Sequence, residues 1–348
     1  MDQPPTAKVP IPEGKVPPSL LSRLLGLARR PHPALVVGPS LGEDAAVIRL
    51  TDQTLIVTSD PITFRTRRPG TYAVHINAND IAAMGGRPIF FTLTLLLPPG
   101  ATEDQAEAIV ADAARAGDGL GAVLIGGHSE VSAAVRTAVV SVTMLGHLIG
   151  ERPLRTADGR PGDAIVQVGP MGVEGTSILA AAHRRTLLQT LDPALVDRAE
   201  GFLEDPGLSV VGPAGLAAAH LEVHAMHDPT EGGLATGLRE LASASNTGLI
   251  VDEEKILVAP ETQAVCGVLG VDPLGLISSG CLLFTVSEDQ TGRALELLGR
   301  AGHAAVCIGR LTGEAGVYLL RQAQGRVREL PVFAADELVQ TEGGPLPD

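Results

Sequence analysis

The stretch His75-Ile76-Asn77-Ala78-Asn79-Asp80-Ile81-Ala82-Ala83-Met84-Gly85-Gly86-Arg87-Pro88 decides the predicted fold. Four apolar residues in and beside it recur at helical spacing: Val74, Ala78, Ile81 and Met84. This spacing predicts a helix with one face packed on a sheet, and it places Asn77 and Asp80 on a neighbouring polar face. Gly85-Gly86 ends the helix, and the apolar run Ile89 to Leu97 predicts the strand that follows.

The polar face of this helix has two interpretations. An acid and a carboxamide between two strands could hold a metal-bound polyphosphate, or they could form an ordinary solvated face. Taken alone, such a pair is more typical of a solvated face. Acidic clusters elsewhere in the chain favour the polyphosphate site.

Composition restricts the fold class and the partners. The 348 residues are 45% hydrophobic but only 2% aromatic, with 41 glycines and no tryptophan. Small aliphatic residues therefore fill the core, which favours an α/β protein with closely packed helices and sheets. The net charge of −14 argues against nucleic acid or an anionic membrane as a partner. Nucleotide binding stays compatible with this charge, because Mg²⁺ can bridge carboxylates and phosphates.

The cysteines and the hydrophobic runs predict a cytoplasmic location. Cys266, Cys281 and Cys307 are odd in number and show no paired spacing, which is typical of buried thiols in a reducing compartment. No basic and apolar leader opens the sequence, and no apolar run approaches the length of a membrane span. We therefore expect a cytoplasmic protein without a membrane partner.

Four segments are predicted. Residues 1–33 form a proline-rich arm followed by a helix from Leu20 to Arg30, which Pro31 and Pro33 end. Residues 34–151 and 160–325 each contain alternating helices and strands, which predicts two α/β domains. The Arg-, Asp-, Gly- and Pro-rich segment from Arg152 to Gly162 separates them, and residues 326–348 form a tail.

Acidic residues cluster where predicted strands meet loops: Glu43-Asp44, Asp60, Asp80 and Glu130. Open α/β folds place ligands at strand ends, and Mg²⁺ takes oxygen ligands together with substrate phosphates. Each acid alone is more typical of a turn or a helix cap. Together they favour a metal–phosphate site.

Two glycine-rich segments are candidate phosphate loops. Gly126-Gly127 follows a predicted strand and would let the backbone approach a phosphate, although double glycines also serve ordinary turns. The segment Asp228-Pro229-Thr230-Glu231-Gly232-Gly233 lies between a strand and a helix, so its backbone N–H groups could receive an anion. A helix cap made by Asp228 or Thr230 explains the same residues.

Histidines and serines border these segments. His75, His128 and His227 are each next to an acidic cluster, where a structural hydrogen bond is the commoner role. Ser278-Ser279-Gly280 precedes a strand and could point hydroxyls at a ligand or form an ordinary turn. No dinucleotide fingerprint, P-loop, zinc-protease motif or serine-hydrolase elbow is present in the sequence.

Five motifs, in this order along the chain, resemble the superfamily of aminoimidazole ribonucleotide (AIR) synthase, selenophosphate synthetase, thiamine-monophosphate kinase and HypE. The motifs are Gly42-Glu43-Asp44-Ala45-Ala46-Val47-Ile48, Ser59-Asp60-Pro61, Asn79-Asp80-Ile81-Ala82-Ala83-Met84-Gly85, Gly126-Gly127-His128-Ser129-Glu130 and His227-Asp228-Pro229-Thr230-Glu231-Gly232-Gly233-Leu234. The resemblance covers residues 35 to 320. The run from Gly38 to Ile48 and the Asp-Pro-Thr loop are most similar to HypE and its relatives.

The resemblance implies two α/β domains, with the N-terminal sheets of two chains pairing into a barrel in a homodimer. It also implies that residues 34–151 are the ATP-binding domain and that ATP with Mg²⁺ is used to phosphorylate a small substrate. Three residue sets follow. Asp44, Asp60 and Asp80 would bind the metal. Asp80, His128 and Asp228 would be catalytic. The cofactor-binding residues would be Asp44, Asp60, Asn79, Gly126, Gly127, Glu130, Thr230, Gly232 and Gly233.

Two departures from the family pattern affect the expected reaction. HypE carries its substrate group on a C-terminal cysteine, whereas the last six residues here are Gly343-Gly344-Pro345-Leu346-Pro347-Asp348. The usual HypE reaction on its own tail is therefore not expected. The family often has an acid where His128 stands, and Glu130 is the residue that would compensate.

Three functions follow as hypotheses. The first is an enzyme that uses ATP and Mg²⁺ to phosphorylate an amide or carbonyl oxygen of a small substrate. The second is a small-molecule kinase of the thiamine-monophosphate type. The third is a non-catalytic ATP-binding maturation or regulatory protein, which would act with a maturation partner protein.

Overall fold

The computed structural model describes residues 19–20, 22–23, 32–38, 40–51, 53–64 and 66–341. Residues 19–20 and 22–23 are helical, in agreement with the start of the predicted helix; the rest of that helix and the preceding arm lie outside the described residues. Among the described residues, none of the helices combines the length and apolarity needed to span a bilayer.

Within the described residues, the N-terminal domain consists of one six-stranded sheet and two helices. The strands are β1 (Leu35–Val37), β2 (Ala46–Leu50), β3 (Gln53–Ile62), β4 (Gly86–Leu97), β5 (Val123–Val131) and β6 (Val139–Leu148), and the helices are α1 (Pro69–Ala83) and α2 (Glu103–Leu120). The strand order is β1-β2-β3-β6-β4-β5. All neighbours are antiparallel except β4 and β5, which are parallel. The sheet is open in the single chain, so the predicted barrel of two chains stays a prediction.

The C-terminal domain is a seven-stranded sheet, β13-β12-β9-β11-β7-β10-β8. Its strands are β7 (Ala164–Val168), β8 (Met226–His227), β9 (Gly248–Asp252), β10 (Leu282–Val286), β11 (Ala305–Thr312), β12 (Tyr318–Arg321) and β13 (Val327–Glu329). Its helices are α3 (Val173–Ala182), α4 (Arg184–Leu187), α5 (Pro193–Glu200), α6 (Val211–His220), α7 (Gly233–Ala244), α8 (Pro260–Leu269), α9 (Thr291–Arg300) and α10 (Glu337–Thr341). Part of the predicted tail therefore belongs to this domain, because β13 joins the sheet.

Helix α1 is enclosed on all sides. Every residue from Pro69 to Ala83 is buried except His75, which is half-buried. Its apolar side packs against the sheet and α2, and the same apolar core continues into α3, α5 and α8 of the C-terminal domain. The polar face of this helix is therefore not solvated, and each of its polar side chains needs a partner inside the protein.

The prediction of a loop at Gly126–Glu130 is wrong, because these residues lie within the edge strand β5. The physical reason is the close approach of β5 to β4. A Cβ on Gly127 would lie 1.9 Å from the carbonyl oxygen of Leu93, so only glycine allows this pairing. Asp60 likewise lies within β3, paired with Val142, and not at a strand end.

Candidate active site

Four aspartates from the two domains converge near the carboxyl end of α1. We call Asp44, Asp60, Asp80 and Asp228 the acidic cluster. Asp44 precedes β2, Asp60 lies in β3 and Asp80 in the last turn of α1, whereas Asp228 follows β8 in the C-terminal domain. Asp80 and Asp228 are buried, Asp44 is half-buried and Asp60 is exposed. The cluster therefore runs from the surface into the interface of the domains.

Asp80 is held by hydrogen bonding to the neighbouring strand. The Thr58 hydroxyl donates to Asp80 Oδ2 over 2.7 Å. Burial raises the pKa of Asp80 well above its usual range, and the charges of Asp228, Asp60 and Asp44 raise it further. Like charges held together in a buried site are the electrostatic condition that a bound cation relieves.

Asp228 has no hydrogen-bond partner for either carboxylate oxygen, and both oxygens are buried. Burial raises the pKa of Asp228 well above its usual range, and Asp44 adds to this effect while His227 opposes it. Ligand atoms of Asp44, His227 and Asp228 lie within 4.8 Å of one another. An unpartnered buried carboxylate beside further carboxylates fits Mg²⁺, which prefers oxygen ligands.

His227 lies between two carboxylates. Its Nδ1 is 2.9 Å from Asp44 Oδ1, and its Nε2 is 3.0 Å from Glu240 Oε2. Burial lowers the pKa of His227, but Asp44 and Glu240 outweigh burial and raise the pKa well above its usual range. The imidazole therefore donates from both nitrogens and orients Asp44, which makes His227 a support for the cluster.

Glu43 connects the loop that carries Asp44 to the segment between the domains. Arg155 donates from Nε and Nη2 to Glu43 Oε1 over 3.0 and 2.7 Å. Burial raises the pKa of Glu43 in spite of this partner. The pair fixes the loop that carries Asp44, and neither the role of Arg155 nor that of Glu240 has a signal in the sequence.

The two asparagines of α1 have structural partners. The Asn77 side chain accepts from the backbone N–H of Asp60 over 2.8 Å and donates to the Asp60 carbonyl over 3.1 Å. The Asn79 side chain donates to the carbonyl of Leu208 and accepts from the N–H of Val210, over 2.8 and 2.9 Å. Asn77 thus positions Asp60, and Asn79 joins α1 to the C-terminal domain. The cofactor-binding role predicted for Asn79 stays a prediction.

At the predicted anion site before α7, two backbone N–H groups donate to oxygen atoms of the chain itself. The N–H of Gly232 donates to Asp336 Oδ2 over 2.7 Å, and the N–H of Gly233 donates to the carbonyl of Thr230 over 3.1 Å. Asp336, which lies in the predicted tail, thus supplies a negative group at the start of α7. In this conformation these two amides are not available to a phosphate.

The residues predicted in β5 lie at the other side of the N-terminal sheet. Between β3, which carries Asp60, and β5 stand two strands, β6 and β4. Gly126, Gly127, His128 and Glu130 are exposed, and His128 Nε2 is 3.2 Å from Glu130 Oε2. Within one chain the structure therefore brings Asp44, Asp60, Asp80 and Asp228 together, and it does not bring the β5 residues to them.

The fold and the acidic cluster define a two-domain α/β protein with converging carboxylates where the domains meet. Its N-terminal part, residues 42–148, matches the model of the AIR synthase related protein, N-terminal domain, and residues 160–321 match the model of the corresponding C-terminal domain. The chain belongs to the AIR synthase related family.

Similar proteins include three curated relatives. A putative hydrogenase expression/formation protein of Methanocaldococcus jannaschii is 30% identical over 83% of this chain and 86% of its own length. Carbamoyl dehydratase HypE of Rhodobacter capsulatus is 31% identical, with 86% of each chain covered. Thiamine-monophosphate kinase of Pyrococcus horikoshii is 26% identical over 86% of this chain and 91% of the relative.

Solved structures agree with this membership. The hydrogenase maturation protein HypE in complex with ATP superposes with a TM-score of 0.71 at 28% identity, covering 86% of this chain and 92% of that one. A HypE–HypF complex gives a TM-score of 0.72 at 23% identity, covering 84% and 94% of the two chains, a similarity that concerns the fold. The predicted fold and the predicted family are therefore confirmed.

Proposed function

We propose that this protein is an ATP-dependent enzyme that phosphorylates the oxygen of an amide or carbamoyl group on a small substrate. The observation that carries the proposal is the pair of buried, unpartnered Asp228 oxygens facing the other carboxylates of the acidic cluster. Relatives named carbamoyl dehydratase and the HypE structure holding ATP support the nucleotide and the substrate class.

Each residue of the site has a stated task in this proposal. Asp44, Asp60, Asp80 and Asp228 would hold Mg²⁺, which supplies positive charge against the triphosphate. Thr58 and Asn77 fix Asp80 and Asp60, and His227 fixes Asp44. The burial of α1 excludes water from Asp80, whereas Asp60 lies at the surface. Positioning of this kind provides most of the catalysis in phosphoryl transfer.

The proposed reaction makes the substrate oxygen a leaving group. The oxygen attacks the γ-phosphorus, ADP departs, and the oxygen then leaves as phosphate. On a carbamoyl group this loss, together with both N–H protons, yields a nitrile. A kinase of the type of the Pyrococcus relative would instead keep the phosphate on its product, and a non-catalytic protein would bind ATP without forming ADP.

Product analysis tests the proposal directly. The purified chain is incubated with ATP and Mg²⁺ and with S-carbamoyl-N-acetylcysteine or thiamine monophosphate, and ADP, phosphate and nitrile are quantified by chromatography and mass spectrometry. We expect ADP and phosphate in equal amounts with the carbamoyl compound. ADP without free phosphate, together with thiamine diphosphate, would establish the kinase. Tight ATP binding without ADP under every condition would overturn both enzymatic functions.

Substitution within the acidic cluster gives the first site prediction. Asp80→Asn and Asp228→Asn are expected to weaken Mg²⁺-dependent ATP binding by on the order of tenfold or more, about 1.4 kcal/mol for each tenfold step. Both changes also remove repulsion, so the melting temperature without Mg²⁺ is expected to hold or rise. Isothermal titration calorimetry with a non-hydrolysable ATP analogue measures the affinity.

The matched control is Asp289→Asn, which changes an exposed aspartate before α9. We expect this variant to bind the ATP analogue as the unaltered protein does. Equal affinities in all four proteins, each with an intact fold, would contradict the assignment of the cluster.

A further inference from the structure

The C-terminal sheet carries a cavity on the face that is turned away from α7. In β9, Leu249 and Val251 belong to the core shared with α7. Because alternate residues of a strand point to opposite faces, Ile250 and Asp252 lie on the other face. Both line a cavity of about 410 Å³ there, beside helix α9. This volume suits a small molecule, and none of the lining residues belongs to the acidic cluster.

Three basic side chains line this cavity, which we call the basic cavity: Lys255, Arg310 and Arg321. Lys255 belongs to the turn after β9, Arg310 to β11 and Arg321 to β12. Because β9 lies between β11 and β12, Arg310 and Arg321 flank the cavity from strands about 10 Å apart. In a protein whose net charge is −14, three cations around one cavity are a local exception.

Asp252 holds two of these cations side by side. Lys255 Nζ donates to Asp252 Oδ2 and Arg321 Nη1 donates to Asp252 Oδ1, each over 2.8 Å. The hydrogen bond from Lys255 lowers the pKa of Asp252 most, and Arg321 lowers it further against the opposing effect of burial. The three groups together therefore carry one net positive charge at neutral pH. Lys255 and Arg321 are both held towards the cavity.

Arg310 and Thr291 bring hydrogen-bond donors to the cavity that the rest of the chain does not use. Within the described part of the chain, the exposed guanidinium of Arg310 makes no ion pair. Thr291 Oγ1 is buried and has no hydrogen-bond partner, and Thr291 is the first residue of α9. Glu288 also lines the cavity, so its charged side chains are three cations and two acids. The cavity has a net positive charge and donors to spare, which favours an anion.

We propose that the basic cavity binds a phosphate group, presented by a small phosphate monoester or by inorganic phosphate. Arg310 would contact the phosphate from one side, and Lys255 and Arg321 from the other. A phosphate group fits better than a carboxylate, because cations on two sides match its several terminal oxygens and its higher charge. Thr291 Oγ1 supplies a further donor. The site is independent of the proposed reaction, since it uses no residue of the acidic cluster.

Cys307 gives a direct readout of binding, because it lines the same cavity. It is half-buried, whereas Cys266 and Cys281 are buried. The neutral reagent N-ethylmaleimide is therefore expected to modify Cys307 first in the folded protein, and a ligand in the cavity is expected to slow this reaction. The full chain is used without Mg²⁺, because the carboxylates of the acidic cluster then repel phosphate.

Glycerol 3-phosphate, inorganic phosphate and glycerol are the probes, and mass spectrometry follows the modification of Cys307. We expect millimolar glycerol 3-phosphate to slow the modification at least fivefold and glycerol to leave the rate within twofold. Calorimetry measures the affinity of each probe. Tighter binding of glycerol 3-phosphate than of inorganic phosphate would support a monoester as the ligand, and equal binding would support free phosphate.

Substitutions separate the basic cavity from the rest of the surface. Arg310→Gln is expected to weaken phosphate binding at least tenfold, and Thr291→Val, which keeps the shape of the side chain, at least threefold. Arg326→Gln removes an exposed arginine outside the cavity and is expected to leave the affinity within twofold, as is Asp80→Asn in the acidic cluster. Melting temperatures verify the fold of each variant. Absence of protection in the unaltered protein, or equal affinity in Arg310→Gln, would overturn the proposal.

Discussion

At the residue scale, Glu174 links the stability of the protein to pH. Burial raises its pKa from 4.5 to about 7 in the folded chain. Between these values the folded state holds a proton that the unfolded state has lost, so this group makes stability fall as pH rises to about 7. Above that pH the contribution of Glu174 to the free energy of unfolding is constant, and it is about 3 kcal/mol lower than at pH 4.5.

Glu174→Gln removes this dependence. We expect the variant to gain stability over the unaltered protein progressively from pH 4.5 to about 7, up to about 3 kcal/mol, and then to keep a constant excess. Urea unfolding at intervals of one pH unit measures the difference, and Glu231→Gln serves as the control with no such trend. Stability curves that stay parallel for Glu174→Gln and the unaltered protein would contradict the raised pKa.

Residues of the site differed in how well the sequence revealed them. Asp44 lies two residues after Gly42, Asp80 follows Asn79 and Asp228 precedes Pro229, so the sequence marked each of them as a candidate site residue. The hydrogen-bond partners of these residues could not be predicted, because His227 and Asp44, for example, are 183 residues apart in the sequence. The burial of Glu174, outside the acidic cluster, gave no signal either, since a lone acid at the start of a helix is typical of an ordinary first turn.

At the element scale, strand β5 depends on one of its two glycines. A Cβ on Gly127 would lie 1.9 Å from the Leu93 oxygen, whereas a Cβ on Gly126 would meet nothing within 4 Å. The backbone φ angles are nearly equal, 154° and 158°. The difference between the two positions is therefore the close approach to β4.

Gly127→Ala is expected to displace β5 and to destabilise the protein by about 1–3 kcal/mol more than Gly126→Ala does. Chemical unfolding followed by circular dichroism compares the two variants. Equal losses of stability would show that the φ angle, and not the contact with Leu93, makes glycine necessary in this strand.

Periodicity predicted most helices and strands but not β5 beyond Ile125. Helix α1 and strand β4 follow from spacing, because their apolar residues face a core. The second half of β5 has two glycines and polar residues at an exposed edge, so no buried face imposes alternation on it. The same lack of a pattern hid the pairing of β13 with the C-terminal sheet.

At the scale of the whole molecule, β5 is an exposed edge with apolar side chains. Val123, Ile125 and Val131 are 52%, 57% and 61% exposed, and β4 is the one strand beside β5 in the described sheet. Unpaired backbone groups and apolar side chains at an edge favour pairing with a second strand. This edge is where we expect the homodimer to form.

The double change Ile125→Lys and Val131→Lys is expected to convert the dimer to a monomer, since charges at an edge oppose strand pairing. Light scattering after size-exclusion chromatography gives the mass. Val332→Lys alters another exposed valine, 72% exposed and outside the N-terminal sheet, and is expected to leave a dimer. A monomeric unaltered protein at micromolar concentration would contradict the expected homodimer.

The acidic cluster takes Asp44, Asp60 and Asp80 from one domain and Asp228 from the other. Neither half of the gene therefore encodes the whole acidic cluster. A mutation that moves the loop after β8 changes the distance of Asp228 from carboxylates that the first half encodes, so the two halves of the gene share one structural constraint. A chimera that takes one of its domains from a relative would combine the carboxylates of two proteins, and their positions would not have been fitted to each other.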